Sequence, residues 1–192
     1  MKTYGLIGRK LGHSFSKSFF TEKFEKENLA ECEYLNFEIE DISGFPGIFN
    51  LGKNICGLNC TIPYKQDIID YLDEIDPEAA MIGAVNTVKI FEKQGKRILK
   101  GYNTDVFGFE HSLRPLLKDK HKKALILGTG GASRSVKYLF DKMGIAYLSA
   151  TTKDKIGKKE LTYDKITKSV MDDHLIIVNT TPLGMYPKND TY

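Results

Sequence analysis

Ala124-Leu125-Ile126-Leu127-Gly128-Thr129-Gly130-Gly131-Ala132-Ser133 is the stretch whose reading decides the fold. Its first four residues form a short apolar run of the buried-strand type. Glycines follow at once, and Arg134 to Lys142 then carry Val136, Leu139 and Phe140 on what reads as the inward side of a helix. Strand, glycine turn and helix in this order make a dinucleotide-binding βα unit. There the glycines permit a tight turn and the close approach of a pyrophosphate, whose charge the helix N-terminus stabilises. The match to G-x-G-x-x-G is imperfect, since Ser133 stands at the third glycine position. Gly128, Gly130, Gly131, Ala132 and Ser133 are the first candidate cofactor contacts.

The next strand, Ala146 to Ala150, sharpens the choice of cofactor. A unit that prefers NAD places an acid about 20 residues on, at the strand tip, to hold a ribose 2′-hydroxyl. Here the tip reads Thr151-Thr152-Lys153-Asp154-Lys155, with hydroxyls and two lysines ahead of or around the one acid. That argues for a 2′-phosphate and hence NADP, and adds Thr151, Thr152 and Lys153 to the candidates. A further strand, Leu175 to Val178, runs into Asn179-Thr180-Thr181-Pro182-Leu183-Gly184-Met185 at the same sheet edge, which adds Thr181. A helix from Asp105 to Leu117 reads as the connection to the first half. The expected domains are therefore residues 1–104 and 105–192.

In the first half, Tyr4-Gly5-Leu6-Ile7-Gly8 reads as a buried strand, followed by the hydroxyl-rich turn His13-Ser14-Phe15-Ser16. The helix after it carries Phe19, Phe20 and Phe24 on one side. Ser14 or Ser16 either caps that helix or contacts a ligand. Tyr34 to Ile39 alternates as a strand, Asp41 or Ser43 opens a short helical piece, and Ile55 to Cys60 forms the next strand. This β-α-β-α-β series predicts a mostly parallel sheet. Pro63 ends the last strand within Asn59-Cys60-Thr61-Ile62-Pro63-Tyr64-Lys65, and apolar spacing predicts a helix over Lys65 to Leu72. Asn59, Thr61 and Lys65 thus fall where a strand ends and a helix begins, the usual edge for small-molecule sites. A lone lysine there is ordinarily just solvated.

Pro77 suits a first helical position, Gly83 to Ile90 returns to strand pattern, and Gln94-Gly95 marks a hairpin turn before the strand Arg97 to Lys100. Thr104 or Asp105 is placed to cap the helix that follows, a role that does not exclude catalysis. The composition is that of an ordinary soluble globular chain: 192 residues, 41% hydrophobic and 28% charged. A net charge of +3 is too small for a nucleic-acid footprint, and the basic run Lys118 to Lys123 reads as a solvated linker. Cys32, Cys56 and Cys60 lack metal-ligand spacing. Cys56 and Cys60 share one face of a strand, so buried reduced thiols and a reducing cytoplasm are expected. Neither a signal peptide nor an apolar run of the roughly 18 residues that span a membrane is found.

Read together, these pieces resemble the shikimate dehydrogenase family. The resemblance rests on Tyr4-Gly5-Leu6-Ile7-Gly8, His13-Ser14-Phe15-Ser16, Asn59 to Lys65, Gly83-Ala84-Val85-Asn86-Thr87, Gly101-Tyr102-Asn103-Thr104-Asp105, Gly128 to Arg134 and Asn179 to Met185, all in the family's order. It implies an α/β fold, with an N-terminal, mostly parallel α/β substrate domain and a Rossmann-like NADP-binding domain. It implies NADPH-dependent, reversible reduction of 3-dehydroshikimate to shikimate in aromatic amino-acid biosynthesis. Ser14, Ser16, Asn59, Thr61, Asn86 and Asp105 would hold the substrate, and Lys65 and Asp105 would flank the reacting oxygen. Which of those two carries the proton is left open. The expected assembly is a cytoplasmic monomer or homodimer acting on a small molecule, without metal, nucleic acid or membrane.

Two departures qualify the resemblance. The family's arginine at the tip of the second Rossmann strand is replaced by Ser149-Ala150-Thr151, leaving Lys153 or Lys155 to meet a 2′-phosphate. A lysine is a point charge and not a bidentate fork. The family also continues for several dozen residues past the position of Tyr192, which implies an incomplete nucleotide domain and impaired or absent activity for this length of chain. Two other readings stay in play: a quinate/shikimate dehydrogenase of looser substrate and cofactor specificity, and a non-catalytic nucleotide-binding module.

Overall fold

Lys2–Gly8 (β1) lies at the heart of the first of two compact units, Met1–Asn103 and Thr104–Tyr192. The computed structural model describes residues 1–12, 14–153, 156–184 and 190. In the first unit β1 is followed by the helix Phe15–Lys26 (α1) and the strand Cys32–Glu38 (β2). Asn54–Cys60 (β3) comes next, then Glu74–Ile75 (β4) and the helix Pro77–Ile82 (α2). The hairpin Thr87–Lys93 (β5) and Lys96–Tyr102 (β6) completes a sheet of order β2-β1-β3-β5-β6-β4. Pairings β1/β2, β1/β3 and β4/β6 are parallel, while β3/β5 and β5/β6 are antiparallel. The hairpin turn forms where expected: Gln94 and Gly95 have φ of 52° and 73°. That pair of positive values matches the right-handed twist of the flanking strands.

Each face of this sheet has its own apolar layer. Ile7, Phe37, Leu58, Cys60 and Val88 pack with Phe45, Tyr64 and Ile68 on one side. Leu6, Leu11 and Tyr34 pack with Tyr4, Phe20 and Phe24 of α1 on the other. An irregularity in β3 decides which residue goes where. Thr3 pairs with Ile55 but Tyr4 pairs with Gly57, so Cys56 is the extra residue of a β-bulge. The bulge resets the alternation, and Ile55, Leu58 and Cys60 all reach the same core while Asn59 turns to the opposite face.

This corrects the expectation that Cys56 and Cys60 share a face as buried thiols: Cys60 is buried, Cys56 only half so. Burial pushes the Cys60 thiol up to about 12, against the opposing pull of Lys65. In the native chain at pH 8, an alkylating reagent is therefore expected to modify Cys32 and Cys56 and to spare Cys60. Peptide mapping checks this, and early labelling of Cys60 would contradict it.

The short helical piece opened by Asp41 forms as expected, as the 3-10 helix Ile42–Asn50 with Pro46 inside it; Asp41 accepts from the Ser43 N–H at 2.9 Å, and this second helix of the series is thus not an α-helix. Two other expectations are revised. Lys65 to Leu72 is not an α-helix either, but a run of turns and the 3-10 helix Asp67–Tyr71. The Lys65 carbonyl, which an α-helix would spend internally, accepts instead from the Val85 N–H at 2.7 Å. Finally, residues 83–86 are not yet strand; Gly83 closes α2, and β5 begins only at Thr87.

The second unit opens with the helix Asp105–Leu113 (α3), then Lys123–Leu127 (β7), Gly131–Met143 (α4) and Ala146–Thr151 (β8). Glu160–Thr162 (β9) and Lys168–Asp173 (α5), neither of them anticipated, precede Ile176–Asn179 (β10). The strands are all parallel, in the order β10-β7-β8-β9. Counted from β7 this is the 3-2-1-4 portion of the Rossmann arrangement, and its direction reverses between β7 and β10. Val136 and Phe140 of α4 pack on Ala124 and Ile126, with Phe109 and Leu113 of α3 against the same cluster. Phe109 meets Phe140 edge-on at 6.0 Å.

Candidate active site

In the first unit the candidate residues gather at the ends of β1, β3 and β5. Thr61 is fixed by its N–H donating to the Ile7 carbonyl at 3.0 Å, and Tyr64 N–H returns to the Thr61 carbonyl at 3.0 Å. The peptide bond between Ile62 and Pro63 is cis. Tyr64 then anchors the loop: its ring is buried and its hydroxyl donates to the Ile39 carbonyl at 2.7 Å. With Tyr64 sunk in the core on one side and its own carbonyl tied to Val85 on the other, Lys65 is held by its backbone and half-buried. Asn86 is clamped likewise, since its carbonyl accepts from Cys60 N–H at 2.8 Å and its N–H donates to the Tyr102 carbonyl at 3.1 Å. Asn103 is buried and donates to the Ala84 carbonyl at 2.9 Å.

Ser14 is the N-cap of α1, its Oγ accepting from the Ser16 N–H at 3.2 Å. Capping thus takes one lone pair of a side chain that remains partly exposed. Burial raises the pKa of the Tyr34 phenol, with the Ser16 side chain working against the rise, and that phenol donates to Asn59 Oδ1 at 2.8 Å. From there Asn59 Nδ2 donates to Thr87 Oγ1 at 3.4 Å, and Thr87 Oγ1 donates to Asn86 Oδ1 at 3.1 Å. Asn59 and Asn86 are therefore joined through Thr87, with Tyr34 holding Asn59 from the other end, and neither Tyr34 nor Thr87 stands out in the sequence as a site residue. A groove of about 380 Å³ runs beside them, lined by Tyr34, Asn59 and Thr87 together with Tyr4, Phe20 and Phe24. The signal that was available is Tyr34 itself, because a buried tyrosine needs a partner for its hydroxyl. His13 lies outside the described residues.

In the second unit the loops after β7, β8 and β10 leave the sheet at its C-terminal edge, on both sides of the point where strand order reverses. Gly128 has φ of +102°, and its N–H donates to the Ala150 carbonyl at 2.9 Å. Gly130 is the N-cap of α4, which has no side-chain cap, and a Cβ on Gly130 would meet nothing within 4 Å. Gly131 and Ala132 form the first turn of α4, half-buried. Backbone N–H groups at an open helix N-terminus under a bare glycine suit a pyrophosphate in charge and in space.

Ser133 is fully buried and its hydroxyl donates to the Gly130 carbonyl at 2.6 Å, so it braces the loop from below. Thr151 is buried as well. Its Oγ1 lies 3.4 Å from Thr129 Oγ1 and accepts from the Lys153 N–H at 3.2 Å. Thr152 and Lys153 are exposed at the strand tip. The Thr181 hydroxyl donates to Asn179 Oδ1 at 2.7 Å. Asp105 stands at the first position of α3, partly buried; Thr104, the cap residue, makes no side-chain capping bond. Lys155 and Met185 lie outside the described residues. Among the described residues no cluster of His, Cys, Asp and Glu is arranged to hold a metal, and no helix is long and apolar enough to cross a membrane.

Residues 6–88 match the model of the shikimate dehydrogenase substrate-binding domain. A shikimate dehydrogenase (NADP(+)) of Clostridium beijerinckii is 40% identical over 210 residues, an alignment covering 99% of this chain and 71% of the relative. Among solved structures, shikimate dehydrogenase 1 of Peptoclostridium difficile superposes with a TM-score of 0.79 at 40% identity, over 97% of this chain and 69% of that one. The Thermus thermophilus shikimate 5-dehydrogenase in complex with NADP(H) and shikimate gives a TM-score of 0.70 at 26% identity, over 96% of this chain and 70% of its own.

Proposed function

The chain belongs to the shikimate dehydrogenase family, and from that premise we infer how its own residues serve the reaction. It is an NADP-dependent oxidoreductase that interconverts 3-dehydroshikimate and shikimate. The observation that carries the assignment of roles is the polar cluster at the strand ends of the first unit. A polyhydroxylated acid needs several fixed donors and acceptors, and Ser14, Ser16, Asn59, Thr61 and Asn86 supply them from clamped backbone positions. Lys65 and Asp105 are the proposed proton-handling pair, an amine and a carboxylate whose task is to serve the oxygen of the reacting carbonyl. NADPH, when bound, supplies the hydride.

Gly128, Gly130, Gly131 and Ala132 are proposed to receive the pyrophosphate through backbone groups, with Ser133, Thr151 and Thr181 keeping the three loops in shape. Thr152 and Lys153 are left to meet the 2′-phosphate. The proposal extends to a cytoplasmic location and a monomer or homodimer, with small molecules as the only ligands.

The test follows NADPH absorbance after shikimate is added to the chain with NADP+. Reduction that depends on shikimate, and runs faster with NADP+ than with NAD+, is the expected result. Equal rates with quinate would favour the looser quinate/shikimate specificity. Binding of NADP+ without any shikimate-dependent reduction, and without thermal protection by shikimate, would leave a nucleotide-binding module instead.

A further inference from the structure

We propose that Tyr34 and Thr87 are positioning residues of the substrate site, which set the way round in which the Asn59 and Asn86 side-chain amides stand. The inference rests on the assignment of those two asparagines to shikimate binding. An amide presents a carbonyl on one side and an NH2 on the other, and little besides its partners decides which faces where. Here the partners form a chain of donors running one way. The Tyr34 hydroxyl donates to Asn59 Oδ1, which turns Asn59 Nδ2 to Thr87 Oγ1; the Thr87 hydroxyl then directs its proton to Asn86 Oδ1. Asn86 is thereby turned with its carbonyl toward Thr87 and its NH2 to the other side. A site so arranged meets the oxygens of a polyol acid with donors already in place, before the ligand arrives.

The start of the chain is immobile. Tyr34 is only 4% exposed, and its ring stacks on Phe20 with centroids 4.6 Å apart and planes 13° from parallel. Its hydroxyl is thus the one part of the side chain free to choose a direction, and it points to Asn59. Burial also pushes the Tyr34 phenol up to about 12, so it keeps its proton, and its role as donor, across the whole working pH range. The bulge at Cys56 is what brings Asn59 to this face at all.

The experiment uses Tyr34→Phe, which keeps the stacked ring and removes the hydroxyl, beside Thr87→Val and Thr87→Ser. Side-chain amide resonances of Asn59 and Asn86 are compared by NMR in the chain without substrate, and calorimetry gives the affinities for shikimate and, separately, for NADP+. In Tyr34→Phe both amide pairs are expected to shift. Shikimate binding should weaken about tenfold, the scale of one lost hydrogen bond, while NADP+ binding stays unchanged. Thr87→Val should do the same and Thr87→Ser should bind as the parent does. A purely structural role for Thr87 would not separate the valine from the serine variant. Should Tyr34→Phe fold poorly, the threonine pair carries the test alone. An unmoved Asn86 resonance, or shikimate affinity within twofold of the parent, overturns the proposal. Failure of the parent chain to bind shikimate while it binds NADP+ would instead overturn the substrate reading, and the roles given to Tyr34 and Thr87 with it.

Discussion

Lys65→Ala is expected to lower kcat by about a thousandfold while the affinity for NADPH hardly changes, the range in which loss of a positioned acid–base group falls. The reasoning is local. Lys65 follows Tyr64, whose buried ring and bond to Ile39 fix the loop, and the Lys65 carbonyl is itself held by Val85. Its ammonium opposes the rise that burial gives the Cys60 thiol's pKa, and Cys60 closes β3, the strand that carries Asn59. An amine carried on this held backbone, just past β3, suits proton handling and is remote in sequence from the glycine loop. Steady-state kinetics and NADPH binding by fluorescence decide the matter. Turnover within tenfold of the parent, or NADPH affinity lost together with turnover, would give Lys65 another role.

Gly128→Ala is the second change of large effect. At φ of +102° an L-residue is strained, at a cost of about 1–3 kcal/mol. The added Cβ would also stand 2.9 Å from Thr180 Oγ1 and 3.0 Å from Thr181 Cγ2. Thr180 has nowhere to go, because its N–H and its hydroxyl both bond the Leu127 carbonyl, at 2.8 and 2.6 Å. The loops after β7 and β10 must therefore part where the strand order reverses. We expect NADP+ to bind at least tenfold more weakly and the melting temperature to fall by several degrees, with shikimate affinity kept. Gly130→Ala is the informative companion, since its Cβ enters open space and strains nothing. It should spare the melting temperature and weaken NADP+ alone. Unchanged NADP+ affinity in Gly128→Ala, measured by calorimetry, would remove the loop from the cofactor site.

Local signals were legible in the sequence where the responsible residues are neighbours in the chain. Gly128 to Ser133 between an apolar strand and an amphipathic helix, Pro77 at the start of α2 and Gln94-Gly95 in a hairpin each act within a few residues. The 3-10 turn at Asp67–Tyr71 was not legible, because Val85, far along the chain, takes the carbonyl that helical spacing assumed would stay local. The bulge at Cys56 was hidden for the same reason, since only pairing with β1 reveals the extra residue. Residue type also named Thr151, Thr181 and Ser133 as ligand candidates without saying that their hydroxyls are engaged within their own unit. Alternation marks Tyr34 only as a strand residue, and its phenol acquires meaning through Asn59.

The bulge also makes β3 unequally tolerant of changes in length. Dropping Cys56 would set Gly57 directly after Ile55, the two opposite Tyr4 and Thr3 as now, and leave every later residue on its present face, whereas adding one residue after Gly57 would spin the remainder of the strand half a turn. Leu58 and Cys60 would swap sides with Asn59, so an oily face would front the ligand and an amide would be driven into hydrocarbon. A one-codon loss at the bulge is a survivable edit; a one-codon gain after it is a frameshift in three dimensions.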